Sequence, residues 1–305
     1  MRLFDPVQLG SIELFCKAAE LGSFTAAAEA LGITPASVSR SISRLESRLG
    51  VRLFSRTTRH IRLTREGEVY WQQCQQALEQ IAEAERVITG NQKVPSGSLR
   101  LSVGTPYAHY RLLPLLPRFQ ALYPQINIEL SISNRVIDFV EEGFDLAIRR
   151  GVPQDSRLIA HTLEDASLGV FATPDYLRMR GIPATVPDLE QHDCIQFILP
   201  STGRAMPWLF KDQEGKDIDF NFRSHRRVYD DVLGCVRWAM AGGGLFQTYH
   251  FIAESAVARG ELIEVLHNAA GRTGRFSILY PHNRHLSARV RAFVDFMVCA
   301  VRQCQ

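Results

Sequence analysis

Apolar residues recur at helical spacing through Leu9, Ile12, Phe15 and Ala19, and Gly22-Ser23 then supplies a stop and a cap. The pattern predicts a helix over about residues 7–21 and a second over 24–31, ended by Gly32. A third starts near residue 35, where Thr34-Pro35 joins an N-cap to a proline at the first helical position. In that helix Val38, Ile42, Leu45 and Leu49 form one stripe, so the opposite face carries Ala36, Arg40, Ser43, Arg44 and Ser47. After Gly50 the period changes to two, in Val51–Arg56 and again in Arg59–Leu63, which predicts a two-stranded wing turned by Thr57-Thr58. Thr64 can cap a long helix to about Thr89, along which Trp71, Cys74, Leu78 and Ile81 repeat at threes and fours. Residues 89–97 lose all periodicity and read as a hinge.

Beyond the hinge, strand and helix patterns alternate. Strands are expected at Leu99–Gly104, Ile126–Ile132, Leu146–Arg149, Ser167–Ala172, Gly244–Thr248 and Phe276–Tyr280. Helices are expected at about 110–122, 136–142, 174–180, 230–241, 250–258 and 286–303. That order predicts an α/β domain with parallel sheets. Ligands of such sheets sit beyond the carboxyl ends of the strands. The rule nominates Thr105 and Pro106, then Ser133, Asn134 and Arg135, then Arg149 and Arg150, and finally Gln247, Thr248, Tyr249 and His250. Thr105 opens a helix and could offer its hydroxyl and free amides to an anion, and the two adjacent arginines could pair with a carboxylate.

A chain of 305 residues with 46% hydrophobic content predicts two or three domains with real cores. No stretch reaches the roughly 18 apolar residues of a membrane span, and the first residues lack a signal-peptide core, so the expectation is a cytoplasmic protein without a membrane partner. Six cysteines (16, 74, 194, 235, 299 and 304) show no Cys-x-x-Cys spacing and are expected to be reduced thiols. The nine histidines never fall into His-Glu-x-x-His spacing, and Gly242-Gly243-Gly244 is not a dinucleotide fingerprint. We therefore expect no enzyme, no cofactor and no metal site.

The net charge of +3 hides a division: residues 1–65 carry +5, residues 66–92 carry −4 and the remainder +2. Basic density over residues 40–65 suits a phosphate-facing surface. A short helix, a tight turn with Gly, and a helix with small polar and Arg residues outward is a helix-turn-helix pattern, whose second helix enters the major groove of double-stranded DNA. Thr34, Pro35, Ala36, Ser37, Ser39, Arg40, Ser43 and Arg44 are its candidate contacts, with Arg40 suited to pair bidentately with guanine. Arg56, Arg59 and Arg62 of the wing suit phosphates or a narrow minor groove.

Gly22-Ser23-Phe24-Thr25-Ala26-Ala27-Ala28, Thr34-Pro35-Ala36-Ser37-Val38-Ser39-Arg40, Arg44-Leu45-Glu46, Leu49–Thr57 and Leu63-Thr64-x-x-Gly67 together resemble LysR-type transcriptional regulators. The Thr-Pro form, where many members have Gln-Pro-Ala, resembles the CrgA-like branch. Phe144–Arg149, Thr173–Leu177 and Gly260-Glu261-Leu262 carry a weaker resemblance to the second half of such proteins. The resemblance implies a winged helix-turn-helix over 1–64, a dimerisation helix over 65–90, a hinge over 91–98 and a two-lobed α/β effector domain, similar to periplasmic binding proteins, over 99–305. Lobe I would hold 99–162 and 268–305, and lobe II 163–267. It further implies a small-molecule effector, possible here as an organic anion, a homodimer through the long helix assembling to a homotetramer, and contact with RNA polymerase if the protein activates. An alternative within the same architecture is redox sensing through Cys194 and Cys235.

Overall fold

The computed structural model describes residues 6–56, 61–88, 94–151, 157–212, 214–270, 273–282 and 286–303. The chain divides into two compact units, 1–93 and 94–305. The first holds α1 (Pro6–Leu21), α2 (Phe24–Ala30), α3 (Pro35–Leu49), the antiparallel pair β1 (Phe54–Arg56) and β2 (Ile61–Leu63), and α4 (Arg65–Ile88). The starts of α2 and α3 have their caps: Ser23 accepts from the Ala26 amide at 3.3 Å, and Thr34 from the Ser37 amide at 3.3 Å. Phe15, Ala18, Ala27, Ala28, Val38, Ile42 and Leu53 are fully buried, the alanines letting the helices approach closely. Phe54 closes this core edge-on against Phe15 and Phe24. The first half of α4 packs on the same core through Tyr70, Trp71, Cys74 and Leu78, whereas Ile81 further along is exposed. The long helix is thus anchored to its own chain over its first turns, with Ile81, Ala82 and Glu85 exposed farther on.

The junction of wing and long helix explains a motif that the sequence only displays. Thr64 donates its hydroxyl to the Arg52 carbonyl at 2.7 Å and accepts from the Gly67 amide at 2.9 Å. A Cβ on Gly67 would stand 2.1 Å from the Leu53 carbonyl oxygen, so α4 can cross the strand this closely only with glycine there.

The second unit comprises β3 (Gly97–Val103), α5 (Thr105–Tyr107) running into a π turn (Ala108–Leu112), α6 (Leu116–Leu122), β4 (Ile126–Ile132), α7 (Phe139–Glu142), β5 (Leu146–Arg150), β6 (Leu158–Ala172) and α8 (Pro174–Arg180). There follow β7 (Ile195–Ile198), β8 (Trp208–Lys211), β9 (Asp217–Phe220), β10 (Arg226–Tyr229), α9 (Val232–Met240), β11 (Phe246–Tyr249), α10 (His250–Ala258), β12 (Ile263–Val265), β13 (Thr273–Pro281) and α11 (Ala288–Gln303). Seven strands form one sheet in the order β11-β6-β13-β5-β3-β4, with β12 also on β6. Helices pack its Leu99, Leu101, Ile148 and Ile278 face, with Phe119 and Phe293 fully buried among them.

Two expectations are corrected. The sheets are mixed rather than parallel: β3 runs parallel to β4 and β5, and β7 to β10, but β13 is antiparallel to both β5 and β6, and β11 and β12 are antiparallel to β6. The chain crosses out along β6 and returns beside it along β13, which forces opposite directions. The helix expected over 110–122 is broken, because Pro114 and Pro117 interrupt its amide ladder and a π turn precedes them. Among the described residues no helix is long and apolar enough to cross a membrane.

Candidate nucleic-acid interface and ligand cleft

In the first unit α3 buries Val38, Ile42 and Leu45 and turns Thr34, Pro35, Ala36, Ser37, Arg40, Arg44 and Ser47 outward, with Ser39 and Ser43 half-buried at the margin. Arg40 donates its Nε to the Ala36 carbonyl at 3.3 Å, which lays the side chain back along the start of the helix and leaves its terminal nitrogens outside. Ser37 is shared with the cap, its Oγ 2.9 Å from that of Thr34. Ser41 donates to Ser11 at 2.9 Å and pins α3 to α1. Arg62 is exposed on β2, opposite Ser55. The side chain of Arg56 and the whole of Arg59 lie outside the described residues.

One residue of the reading head was not nominated from sequence. Glu46 is almost fully buried and accepts from the Leu53 amide at 2.8 Å and the Phe54 amide at 3.1 Å, with Arg52 pairing from the surface at 3.3 Å. It ties the end of α3 to the start of the wing, so that the recognition helix and wing move as one piece.

In the second unit the nominated residues divide. Asn134 links the two sides of the domain: its Oδ1 accepts from the Thr105 amide at 3.0 Å while its Nδ2 donates to the Asp230 carbonyl at 3.1 Å. Asp230 holds the left-handed backbone (φ 63°) that this link uses. The Thr105 amide offered to an anion is therefore taken by Asn134, and Pro106 is buried. Ser133 accepts from the Arg135 amide at 3.3 Å, and the Arg135 guanidinium is held by Glu142. Arg149 lies on the sheet face opposite Ile148, where it donates to Ser102 Oγ at 2.7 Å and to the Ile148 and Arg135 carbonyls. Burial, reinforced by Arg135, pulls its guanidinium down to about 10.

Gln247 is spent as well. Its buried amide accepts from the Leu209 amide at 2.7 Å and donates to the Leu209 carbonyl at 2.8 Å, holding the β8–β9 hairpin against β11. His250 pairs with Glu264 at 2.9 Å and meets Phe171 edge-on. For the buried Gln247 and the half-buried Asn134 and Arg149 the physical origin is the same, namely that a polar side chain sheltered from water must find a partner within the chain.

Of the remaining nominated groups Arg150 is exposed, whereas Tyr249 and Thr248 are buried. Arg150 reaches across to Met206, whose sulfur it meets at 3.4 Å, and carries no carboxylate partner among the described residues. Tyr249 stacks on Phe251 at 5.2 Å and packs on Phe276; burial raises its hydroxyl and the Arg150 charge opposes that shift. Thr248 is buried beside Gly169 in the β6 register. Met206, Asp230 and Ser102 were not nominated; they come from a turn, a bend and a strand interior without a local signal.

The thiols of Cys194 and Cys235 are both buried, which pushes each up to about 12, and among the described residues nothing pairs the two. They do not support the redox alternative. Among the described residues no group of three His, Cys, Asp or Glu side chains is placed to hold a metal.

Residues 9–68 match the family described as "Bacterial regulatory helix-turn-helix protein, lysR family", and residues 92–302 match the "LysR substrate binding domain". An HTH-type transcriptional repressor of Pseudomonas aeruginosa is 35% identical over 292 residues, covering 95% of this chain and 91% of its own. The HTH-type transcriptional regulator CrgA of Neisseria meningitidis is 32% identical over 289 residues, covering 94% of this chain and 95% of its own. The solved structure of CrgA superposes with a TM-score of 0.61 at 31% identity over 96% of this chain and 98% of that one. Full-length AphB, a Vibrio cholerae virulence activator, gives 0.60 at 26% identity over 96% and 99%.

Proposed function

The chain belongs to the LysR family of bacterial helix-turn-helix transcriptional regulators, and from that premise we propose how its two units divide the work. The start of α3 enters the major groove, with Arg40 reading guanine and Ser37, Ser39 and Ser43 serving bases or nearby phosphates. Thr34, Pro35 and Ala36 form the close contact edge, and Arg44, Arg56, Arg59 and Arg62 meet phosphates. The observation that carries this reading is the outward face of α3, on which Arg40 and Arg44 stand exposed over a rigidly capped start.

The effector domain takes a small organic anion where the two sides of the fold meet. Its carboxylate is held by Arg150, with Tyr249, Thr248, the Thr105 hydroxyl and Ser133 as neighbours. Arg135, Arg149, Gln247 and His250 shape the walls. The division into lobe I (99–162 and 268–305) and lobe II (163–267) is supported by the pairing of β6 with β13, where the register slips between Phe276 and Ser277 and leaves Leu163 unmatched. The far half of α4 pairs two chains, two dimers bind one operator, and effector binding changes the angle between them because the two states differ in affinity for it. Where the outcome is activation, RNA polymerase is the further partner.

The test is a footprint on the DNA upstream of the protein's own gene at fixed salt, beside Arg40→Ala. Protection over half-sites spaced by helical turns and lost in the variant supports the reading; protection retained in the variant removes Arg40 from the base-reading role.

A further inference from the structure

Within the DNA-binding unit two cysteines far apart in sequence come into contact. Cys16 on α1 and Cys74 on α4 belong to one buried core, each less than a tenth exposed. Their neighbours bracket them: Phe15 and Tyr70 pack ring to ring at 5.4 Å, and Tyr70 stands one helical turn before Cys74 on the same face of α4. The Cys16 thiol, the Tyr70 hydroxyl and the Arg48 charge all lie close enough to act on the Cys74 sulfur. Tyr70 also lines a groove of about 490 Å³ between the end of α3 and the start of α4, together with Leu49, Val51, Val69 and Gln73.

We propose that Cys16 and Cys74 are a hydroperoxide-oxidisable dithiol that closes to a disulfide between α1 and α4. Cys74 attacks as thiolate: a sulfur–oxygen bond forms, the peroxide oxygen–oxygen bond breaks, and the leaving oxygen departs protonated as water, or as alcohol from an alkyl hydroperoxide. The Cys16 sulfur, its proton passed to the departing oxygen, then displaces that oxygen as water from the Cys74 sulfenic acid. Two thiols are oxidised by two electrons and one peroxide is reduced. The order follows from the surroundings, since two donors and a guanidinium lower Cys74, while donation to Cys74 and burial raise Cys16. Cys194 and Cys235 have burial without such donors, and Cys299 is exposed without a partner cysteine among the described residues.

The experiment uses the full-length reduced protein, treated with stoichiometric hydrogen peroxide, quenched with N-ethylmaleimide and denatured. The expected result is loss of two of the six thiols, read as four N-ethylmaleimide additions where the reduced protein takes six, and a non-reduced peptide pair containing Cys16 and Cys74 that dithiothreitol separates. In Cys16→Ala a sulfenic-acid probe should label Cys74, and in Cys74→Ala it should leave Cys16 unlabelled. Peptide mapping of the wild type stands without either variant, should the core tolerate them poorly. Six intact thiols, a link between chains, or a link through any other cysteine overturns the proposal.

Discussion

The reading head and the ligand cleft treat their arginines in opposite ways. In the reading head Arg40, Arg44 and Arg62 stand exposed, and the buried charge is an acid, Glu46, satisfied by two backbone amides. In the effector domain Arg135 is held by Glu142 and Arg149 by Ser102 and carbonyls, while Arg150 is exposed without a carboxylate partner among the described residues. A surface that meets phosphates can keep its cations hydrated until DNA arrives, because water serves them in the meantime. Arg149, half-buried on the sheet, lacks that solvent and must find its partners within the chain, and the exposed Arg135 is already taken by a carboxylate. Exposed arginines without a carboxylate partner thus occupy the surface proposed for the polyanion, and Arg150 is the one such arginine among those proposed for the ligand.

The largest expected effect tests the one buried anchor of the reading head. Glu46→Ala strips acceptors from the Leu53 and Phe54 amides and should cost about 3 kcal/mol of stability, seen as a lower urea midpoint and lost exchange protection at those amides. A shift within about 0.5 kcal/mol would break the contrast between anchored acid and free cations. Next, Arg40→Ala should lose about 1–3 kcal/mol of operator affinity at fixed salt while affinity for random DNA stays nearly level. Effector titration by calorimetry should then give roughly tenfold weaker binding for Arg150→Ala and a nearly unchanged constant for Arg135→Ala. Equal losses in the two would mean that pairing with Glu142 does not remove Arg135 from the ligand.

Smaller still, Arg62→Ala should leave sequence preference intact and reduce the salt slope of binding by about 1. The least effect concerns Glu142, whose carboxyl Arg135 holds below the ordinary carboxylate range. A lowered folded value means stability that is present above the unfolded value and lost as pH falls through the folded one. Arg135→Ala should therefore flatten the acid limb of a pH–stability curve, in the region below the ordinary glutamate value.

The contrast also governs what could be read without coordinates. The reading head was legible because its signals are local: Ser23, Thr34-Pro35 and Thr64 each cap the helix that follows them, and the apolar stripe of α3 dictates which residues face outward. Glu46 escaped notice because its partners lie seven and eight residues on, across a turn, where no periodicity points. In the effector domain the strand ends were placed well enough to nominate the right loops, yet Arg135, Arg149 and Gln247 were decided by partners 7, 47 and 38 residues away. The strands β7 to β10 pair in small separate sheets, and the first half of β6 carries His161, Glu164 and Asp165, so neither shows the apolar run of a central strand.

The fifteen residues of β6 serve both sides of the domain, pairing with β13 along most of their length and with β11 and β12 at the far end. A continuous beam of this kind resists sliding and hinges poorly, since every rung of its ladder would have to break together. Its compliance lies where Leu163 falls out of register. The domain is then built like a torsion spring, with its soft point set by one unmatched residue.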